Sequence, residues 1–310
     1  MHAALALVDL AGFVALLLWG VRMVQTGFER ALGANLRRVL EKALGNPLEA
    51  FAAGLGVTAV LQSSTATGLM VASFAGAGMI ALKPALAAML GANVGTTLIV
   101  QVLSFNVIEV VPPLFLAGLL MFRRGGTKPV HDFGRVAIGL GLILLALDRI
   151  VAAVAPFETA AGLRDALAAV ARQPFVAFAA ATVVTWAAHS SVAVVLLVGS
   201  FAAGGVVPVE GALALVLGAN LGTAINPVLE SSGDGAARRV PIGNLATRVV
   251  GCIAALAALP LLTPLFAAIE ADPARRVADF HTAFNVVLAL IFLPVLGPFA
   301  ALLERLLRPA

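Results

Sequence analysis

Long apolar runs alternate with short charged or turn-forming stretches along the whole chain. Runs of this kind suit membrane-crossing helices, which need about 20 apolar residues, and not the ten-residue alternation of barrel strands. The first run, 4–24, has only His2 ahead of it, so it lacks the basic start of a cleavable leader and is read as a true span. A charged stretch follows at 25–45, with Arg30, Arg37, Arg38, Glu41 and Lys42. Leu32, Leu36, Val39, Leu40 and Ala43 recur there at helical spacing, which predicts a helix lying along the interface. Spans are expected next at 84–104 and 107–122, followed by a turn-rich basic loop, 123–131. The pattern then restarts with a span at 132–152, an amphipathic stretch at 155–172, and spans at 208–229 and 240–262. A last helix at 280–304 makes seven expected spans.

Two apolar stretches, 47–80 and 174–207, do not fit this scheme. The first holds 34 residues, too long for one crossing and too short for two with a turn. At its middle lies Gln62-Ser63-Ser64-Thr65, a polar cluster that favours helix ends over helix interiors. A re-entrant hairpin of two short helices meeting near the midplane fits both length and polarity. The rival is one long tilted helix whose hydroxyls bond back to its own carbonyls. Broken backbone at membrane depth is expected only where it lines a protein cavity.

The two stretches are copies. Residues 47–104 moved forward by 127 positions meet 26 identical partners in 58, without a gap. Ser63-Ser64 falls on Ser190-Ser191, and GANVGTT (91–97) falls on GANLGTA (218–224). Shared hydroxyls and amides inside apolar repeats are a mark of secondary transporters. The expected architecture is an all-α integral membrane protein, a single transport domain over 1–310. Repeat one covers 4–122 with its hairpin at 47–80, repeat two covers 132–262 with its hairpin at 174–207, and the span 280–304 stands outside both.

If each hairpin enters and leaves on one side, copy one contains three crossings. Three is odd, so copy two is expected to be inverted. Charge agrees. Arg30, Arg37, Arg38, Lys42, Lys83, Arg123, Arg124, Lys128, Arg238, Arg239, Arg305 and Arg308 fall on one side, and Arg164, Arg172, Arg275 and Arg276 on the other. The positive-inside rule makes the first side cytoplasmic, which predicts a plasma (inner) membrane protein with its N-terminus outside and its C-terminus inside.

Composition narrows the class further. Hydrophobic residues make up 61% and charged residues 12%, more apolar surface than a soluble fold hides. The net charge of +4 comes from arginines beside the spans and is read as an orientation signal, with no nucleic-acid partner expected. One cysteine, Cys252, excludes an intramolecular disulfide and a cysteine-based metal cluster.

Each hairpin tip should expose the N-terminus of its second half-helix. Unpaired N–H groups and the positive dipole end converge there and suit a small oxyanion. Ser63, Ser64 and Thr65 are good capping residues, and Ser190 and Ser191 are repeat partners of the first two. Carbonyls that end the first half-helix, with nearby hydroxyl and amide oxygens, suit a hard cation such as Na⁺. Gln62, Ser63, Asn93 and Asn220 are the candidate Na⁺ ligands, within a wider ring of Asn93, Thr96, Thr97, Asn220 and Thr223. Neither tip and neither GAN run contains Arg, Lys, Asp or Glu. An oxyanion there would need a mobile cation beside it, because dipole ends offer only about half a charge each.

The paired Gln-Ser-Ser and His-Ser-Ser tips, each followed 28 residues on by GAN-hydrophobic-GT, resemble the type II sodium–phosphate cotransporter family in its short bacterial branch, without a C-terminal regulatory domain. PIGNLATRVVG (241–251) and DFHTAFNVVLALIFLP (279–294) extend the resemblance over nearly the whole chain. It implies an inverted-repeat membrane fold, inorganic phosphate as substrate and Na⁺ as coupling ion, with no other cofactor. The family's Gln-Ser-Ser-Ser site motif carries over to Gln62, Ser63 and Ser64, with Thr65 in place of the last serine. In the second hairpin it carries over to Ser190 and Ser191; His189 replaces the glutamine and Val192 the last serine. Expected partners are therefore phosphate, Na⁺ and the bilayer, with a homodimer as a further expectation.

Three other groups carry open readings. His189 is a proton sensor, an anion ligand or a neutral stand-in for a glutamine. Arg248, eight residues into a span, either touches the anion or is paired structurally. His281 and Asn285, four apart on one helix face, either support the hairpins or join two helices. Transport of another small oxyanion or a carboxylate is the alternative function. An intramembrane serine hydrolase is disfavoured, because Ser190 directly follows His189 and cannot easily face it.

The expected topology is testable by labelling. In a Cys252-free background, Ala34→Cys and Gly126→Cys should react only from the cytoplasmic side, and Gly162→Cys and Ala271→Cys only from outside. The same sidedness at positions 34 and 162 would rule out the inverted arrangement.

Overall fold

The computed structural model describes residues 2–43, 45–105, 108–124, 126–154, 169, 173–231 and 235–307. Every regular element among them is helical. In chain order these are α1 (His2–Ala43), α2 (Pro47–Leu61), α3 (Ser64–Gly76), α4 (Leu82–Leu103) and α5 (Val111–Arg124), the last preceded by a 3₁₀ turn at Ile108–Val110. Then follow α6 (Lys128–Val154), α7 (Pro174–Ala188), α8 (Ser191–Ala203), α9 (Val209–Glu230), α10 (Gly235–Ile269) and α11 (Pro273–Phe292). A second 3₁₀ turn, Leu293–Val295, leads into α12 (Leu296–Leu306). The amphipathic stretch expected at 155–172 lies outside the described residues apart from Ala169.

Among the described residues, six helical segments are long and apolar enough to cross a membrane: Val8–Ala43, Leu82–Leu103, Lys128–Ala153, Val209–Glu230, Ala237–Ile269 and Pro273–Leu306. The span expected at 107–122 is instead the 14-residue α5 and its 3₁₀ turn, which falls short of that length. The helix expected to lie along the interface at 25–45 is a continuation of α1, which runs unbroken for 42 residues, about 63 Å. Part of its apolar stripe meets protein: Leu40 is fully buried in a cluster with Phe74 of α3, with Leu36 packed against it, while Val39 is exposed. Beside them the Arg37 guanidinium lies 5.2 Å from the centre of the Phe74 ring. The last expected helix starts earlier, at Pro273, and is interrupted where Pro294 withholds a backbone N–H.

The two apolar stretches that resisted assignment as spans are each a broken helix pair, α2–α3 and α7–α8. Pro47 and Pro174 sit in the first turn of α2 and α7, where a missing N–H costs nothing. Each first helix stops at a non-glycine residue in the left-handed region, Gln62 (φ 55°) and His189 (φ 53°), and among the described residues these are the only two. Each second helix is capped by a serine: Ser63 Oγ accepts from Ala66 N–H at 3.1 Å, and Ser190 Oγ from Ala193 N–H at 3.2 Å. Gly78 and Gly205 then turn the chain at φ 70° and 68°. The start and end of α2, α3 and α4 recur in α7, α8 and α9 with the same 127-residue shift found in the sequence.

Helices α4 and α9 form the buried centre and pack on α2 and α7 respectively. The GAN glycines allow this. A Cβ at Gly91 or Gly95 would collide with the carbonyl oxygens of Phe51 or Leu55, and one at Gly218 or Gly222 with those of Phe178 or Thr182. Backbone cannot move aside as a side chain can, so at these glycines the first broken helix of each copy rests directly on the long one, and copy one adds Gly54 of α2 against the Ala88 carbonyl. Gly91→Ala and Gly218→Ala are expected to destabilise the purified protein by about 1–3 kcal/mol each, read as a lowered melting temperature. Gly56→Ala, on α2 with nothing within 4 Å of its added methyl, should leave it unchanged. Equal melting temperatures for all three would contradict this packing.

Candidate functional site

The two breaks share one slot. Gln62, Ser63, Ser64, Thr65, His189, Ser190, Ser191 and Val192 line it, together with Thr96 of α4, Thr223 of α9 and Gln25 of α1. It has ≈ 10 Å³ of room, about enough for one water. Two helix N-termini therefore face the same small space. The N-cap serines satisfy the N–H groups of Ala66 and Ala193. By helix geometry the first-turn N–H groups of Ser64 and Thr65, and of Ser191 and Val192, have no partner within their own helices. Ser64 and Ser191 are buried, and each adds a hydroxyl beside those donors.

The copies differ at their tips. Gln62 is buried, its carbonyl oxygen accepts from Gln25 Nε2 at 3.0 Å, and its side-chain Oε1 is buried with no partner. Its counterpart His189 has the same backbone conformation but a side chain 60% exposed, with Nδ1 3.3 Å from Glu230 Oε1. In copy one the positions are Gln62 and Leu103; in copy two both have become ionisable. A hydroxyl pair, Thr58 to Thr67 at 2.8 Å, joins α2 to α3. Copy two has Val194 where copy one has Thr67, and Thr185 Oγ1 is buried without a partner.

From one side a vestibule of ≈ 1060 Å³ reaches the tips, lined by Arg22, Glu29 and Arg37 of α1, Ser63, Thr65 and Met70 of the first pair, and His189 and Glu230. At the other end, a separate and mostly apolar hollow of ≈ 220 Å³ includes Leu103, Phe105, Asp148, Ser200, Ala203 and Asp272. Asp148 pairs with Arg149 at 3.2 Å. Gln101 at that end donates to Asp279 and Thr282 at 2.9 and 3.0 Å, joining α4 to α11.

Behind the slot lies a buried amide cluster centred on Arg248. Its Nη2 donates to Asn93 Oδ1 at 2.6 Å and its Nη1 to both the carbonyl oxygen and, at 3.2 Å, Oδ1 of Asn220. Asn93 also donates to Asn244 Oδ1 at 2.8 Å, and Asn285 donates to Asn220 Oδ1 at 2.9 Å and to the His281 carbonyl at 2.8 Å. The two GAN asparagines, repeat partners, thus have their amide oxygens engaged by one guanidinium. Thr96 and Thr97 hydroxyls donate to carbonyls of their own helix, those of Ala92 and Val94. Of the ring expected from sequence, Thr96 and Thr223 reach the slot, Thr97 does not line it, and Asn93 and Asn220 belong to the cluster behind it, which His281 and Asn285 join. Gln25 and Glu230 were missed. Gln25 had a signal, an amide within a helix that the reading cut in two; Glu230 had only its departure from the repeat.

Membrane-length helices around a buried polar centre built from two broken helices define a multi-pass membrane protein of the transporter class. The chain belongs to the Na⁺/Pi-cotransporter family, which it matches over residues 16–152 and again over 157–291. It is 38% identical over 305 residues to the Escherichia coli (strain K12) protein named "Putative inorganic phosphate export protein YjbB", and 38% identical over 305 residues to the Salmonella typhimurium protein of that name. These alignments cover 98% of this chain and 56% of each relative, so the chain spans little more than half their length. The Bacillus subtilis "Uncharacterized protein YqeW" is 29% identical over 304 residues, covering 98% of this chain and 99% of the relative. No solved structure matches the chain. The names of the family and of the first relatives are those of transporters and not of enzymes.

Proposed function

We propose that the chain is a secondary active transporter that moves inorganic phosphate with Na⁺ by alternating access, binding both between the two tips. The observation that carries this reading is the single slot shared by two serine-capped helix N-termini, with Ser64 and Ser191 buried beside them. Backbone N–H groups, hydroxyls and positive dipole ends are the donors a tetrahedral oxyanion uses. The slot as it stands is too small for phosphate, so loading requires the tips to part, which a rocking of one hairpin against the other would provide.

The inverted arrangement is supported by α4. It starts six residues after α3 ends, and its last residue, Leu103, lines the same hollow as Ala203, the last residue of α8. The open ends of the two broken pairs therefore lie at opposite ends of a helix about 33 Å long, and their tips meet beside Thr96. In a membrane this makes both pairs re-entrant from opposite faces. The vestibule opens beside Arg22 and Arg37, on the side that the arginine distribution makes cytoplasmic, which describes an inward-facing protein in the inner membrane.

Sodium is held in this reading by neutral oxygens at the tips. Gln62 Oε1 is the strongest candidate, being buried and unpartnered, with Ser63 and the Thr96 and Thr223 hydroxyls nearby. Asn93 and Asn220 are less suited, because a guanidinium already faces their oxygens. A second reading, phosphate efflux, is favoured by the vestibule's orientation and by the relatives' names. Both directions use one site.

Ser64→Ala and Ser191→Ala should each weaken phosphate transport strongly without preventing insertion. Losing one hydrogen bond to a charged ligand costs about 1.5–3 kcal/mol, or roughly 10- to 150-fold in affinity. Ser73→Ala and Ser200→Ala, outside the slot, serve as controls. Radiolabelled phosphate flux in proteoliposomes is the measurement, and equal apparent affinity in tip and control variants would place the site elsewhere.

A further inference from the structure

Arg248 is 2% exposed, and among the described residues no Asp or Glu forms an ion pair with it. Its acceptors are neutral: two amide oxygens and one carbonyl, with Nε buried and unpartnered. A tie between two asparagines needs no charge, since an amide would serve. Burying a guanidinium in an apolar bundle is costly unless a counter-charge arrives. Its location indicates which. Thr96 and Thr223 follow Asn93 and Asn220 by three residues on α4 and α9, and both line the slot. The guanidinium is thus hydrogen-bonded about one helical turn behind the place where an oxyanion would sit.

We propose that Arg248 is a positioning residue that supplies the fixed positive charge of the anion site and distributes it between the two copies through Asn93 and Asn220. The proposal rests on the phosphate reading of the tips and deepens it. Two helix N-termini contribute roughly half a charge each, and the guanidinium adds a full one, so the protein itself offers about two positive charges. That is the charge of a phosphate dianion. Sodium then serves chiefly to couple transport to a gradient, and less to neutralise the substrate. The fork geometry of arginine also lets one side chain hold a pair of equivalent residues that a lysine ammonium could not bridge in the same way.

The charge can be cancelled without cutting the tie. In Asn93→Asp, the new carboxylate accepts from the same Nη2, while the Asn244 amide, now facing an acceptor, can turn its NH₂ toward it. Full-length purified protein is compared by equilibrium binding of radiolabelled phosphate, by Na⁺ titration, and by melting temperature without phosphate. Asn93→Asp should melt at or above wild type yet bind phosphate at least tenfold more weakly. Arg248→Gln should bind comparably weakly, and Arg248→Lys should fall between Gln and wild type. Wild-type phosphate affinity in Asn93→Asp or Arg248→Gln would show that Arg248 is a structural tie only. A raised Na⁺ affinity with unchanged phosphate affinity in Asn93→Asp would make Asn93 a sodium ligand and also overturn the proposal. If Asn93→Asp does not fold, the ranking of the two Arg248 variants decides. Wild-type protein that binds no phosphate would instead overturn the reading of the tips themselves.

Discussion

A helix broken inside an apolar bundle leaves backbone N–H and C=O groups that no water is present to satisfy. The protein meets this constraint twice, in the same way. A left-handed residue ends the first helix, a serine side chain caps the second, and the first helix rests on a long central helix whose glycines admit backbone at contact distance. Gln25 takes the carbonyl of Gln62. Within the slot, what remains unsatisfied is a small set of donors at two helix starts and the buried amide oxygen of Gln62. Donors that a fold leaves unpaired in a dry interior are the groups a ligand can pair.

Repetition builds the frame, and departures from it give the frame a direction. The copies share element boundaries, caps and glycine contacts, so two equivalent tips meet at one place. They part where chemistry enters. Gln62 turns inward while His189 turns to Glu230 in the vestibule. Arg248 reaches both GAN asparagines from α10.

Much of this was legible beforehand because it depends on local rules. Polar clusters in over-long apolar stretches marked both breaks, and serine's preference for helix starts offered Ser63, Ser64 and Thr65 as caps, of which Ser63, with Ser190 in the second copy, takes the place. The glycines repeated in the two GAN runs are where the Phe51 and Phe178 carbonyls approach the central helices. What was hidden depends on tertiary partners. The continuous α1 could not be foreseen, because whether an amphipathic stripe meets a membrane surface or, as Leu40 does, a buried cluster of the same chain is not encoded in its period. Charge accounting at the tips left Arg248 out; its place in a span marked it as a residue to explain, but not that it reaches both GAN asparagines from 28 residues beyond Asn220. Asn93 and Asn220 looked like free oxygens for the same reason.

Phosphate uptake into proteoliposomes loaded without Na⁺ tests the central claim most directly, with an inward Na⁺ gradient in one arm and choline at equal ionic strength in the other. Coupled transport predicts uptake above the equilibrium level only with Na⁺. It also predicts that Na⁺ raises phosphate affinity by the same factor by which phosphate raises Na⁺ affinity, because coupling free energy is reciprocal. Uptake of equal rate and extent in both salts would contradict sodium coupling and leave a phosphate pathway driven by the protein's own fixed charge.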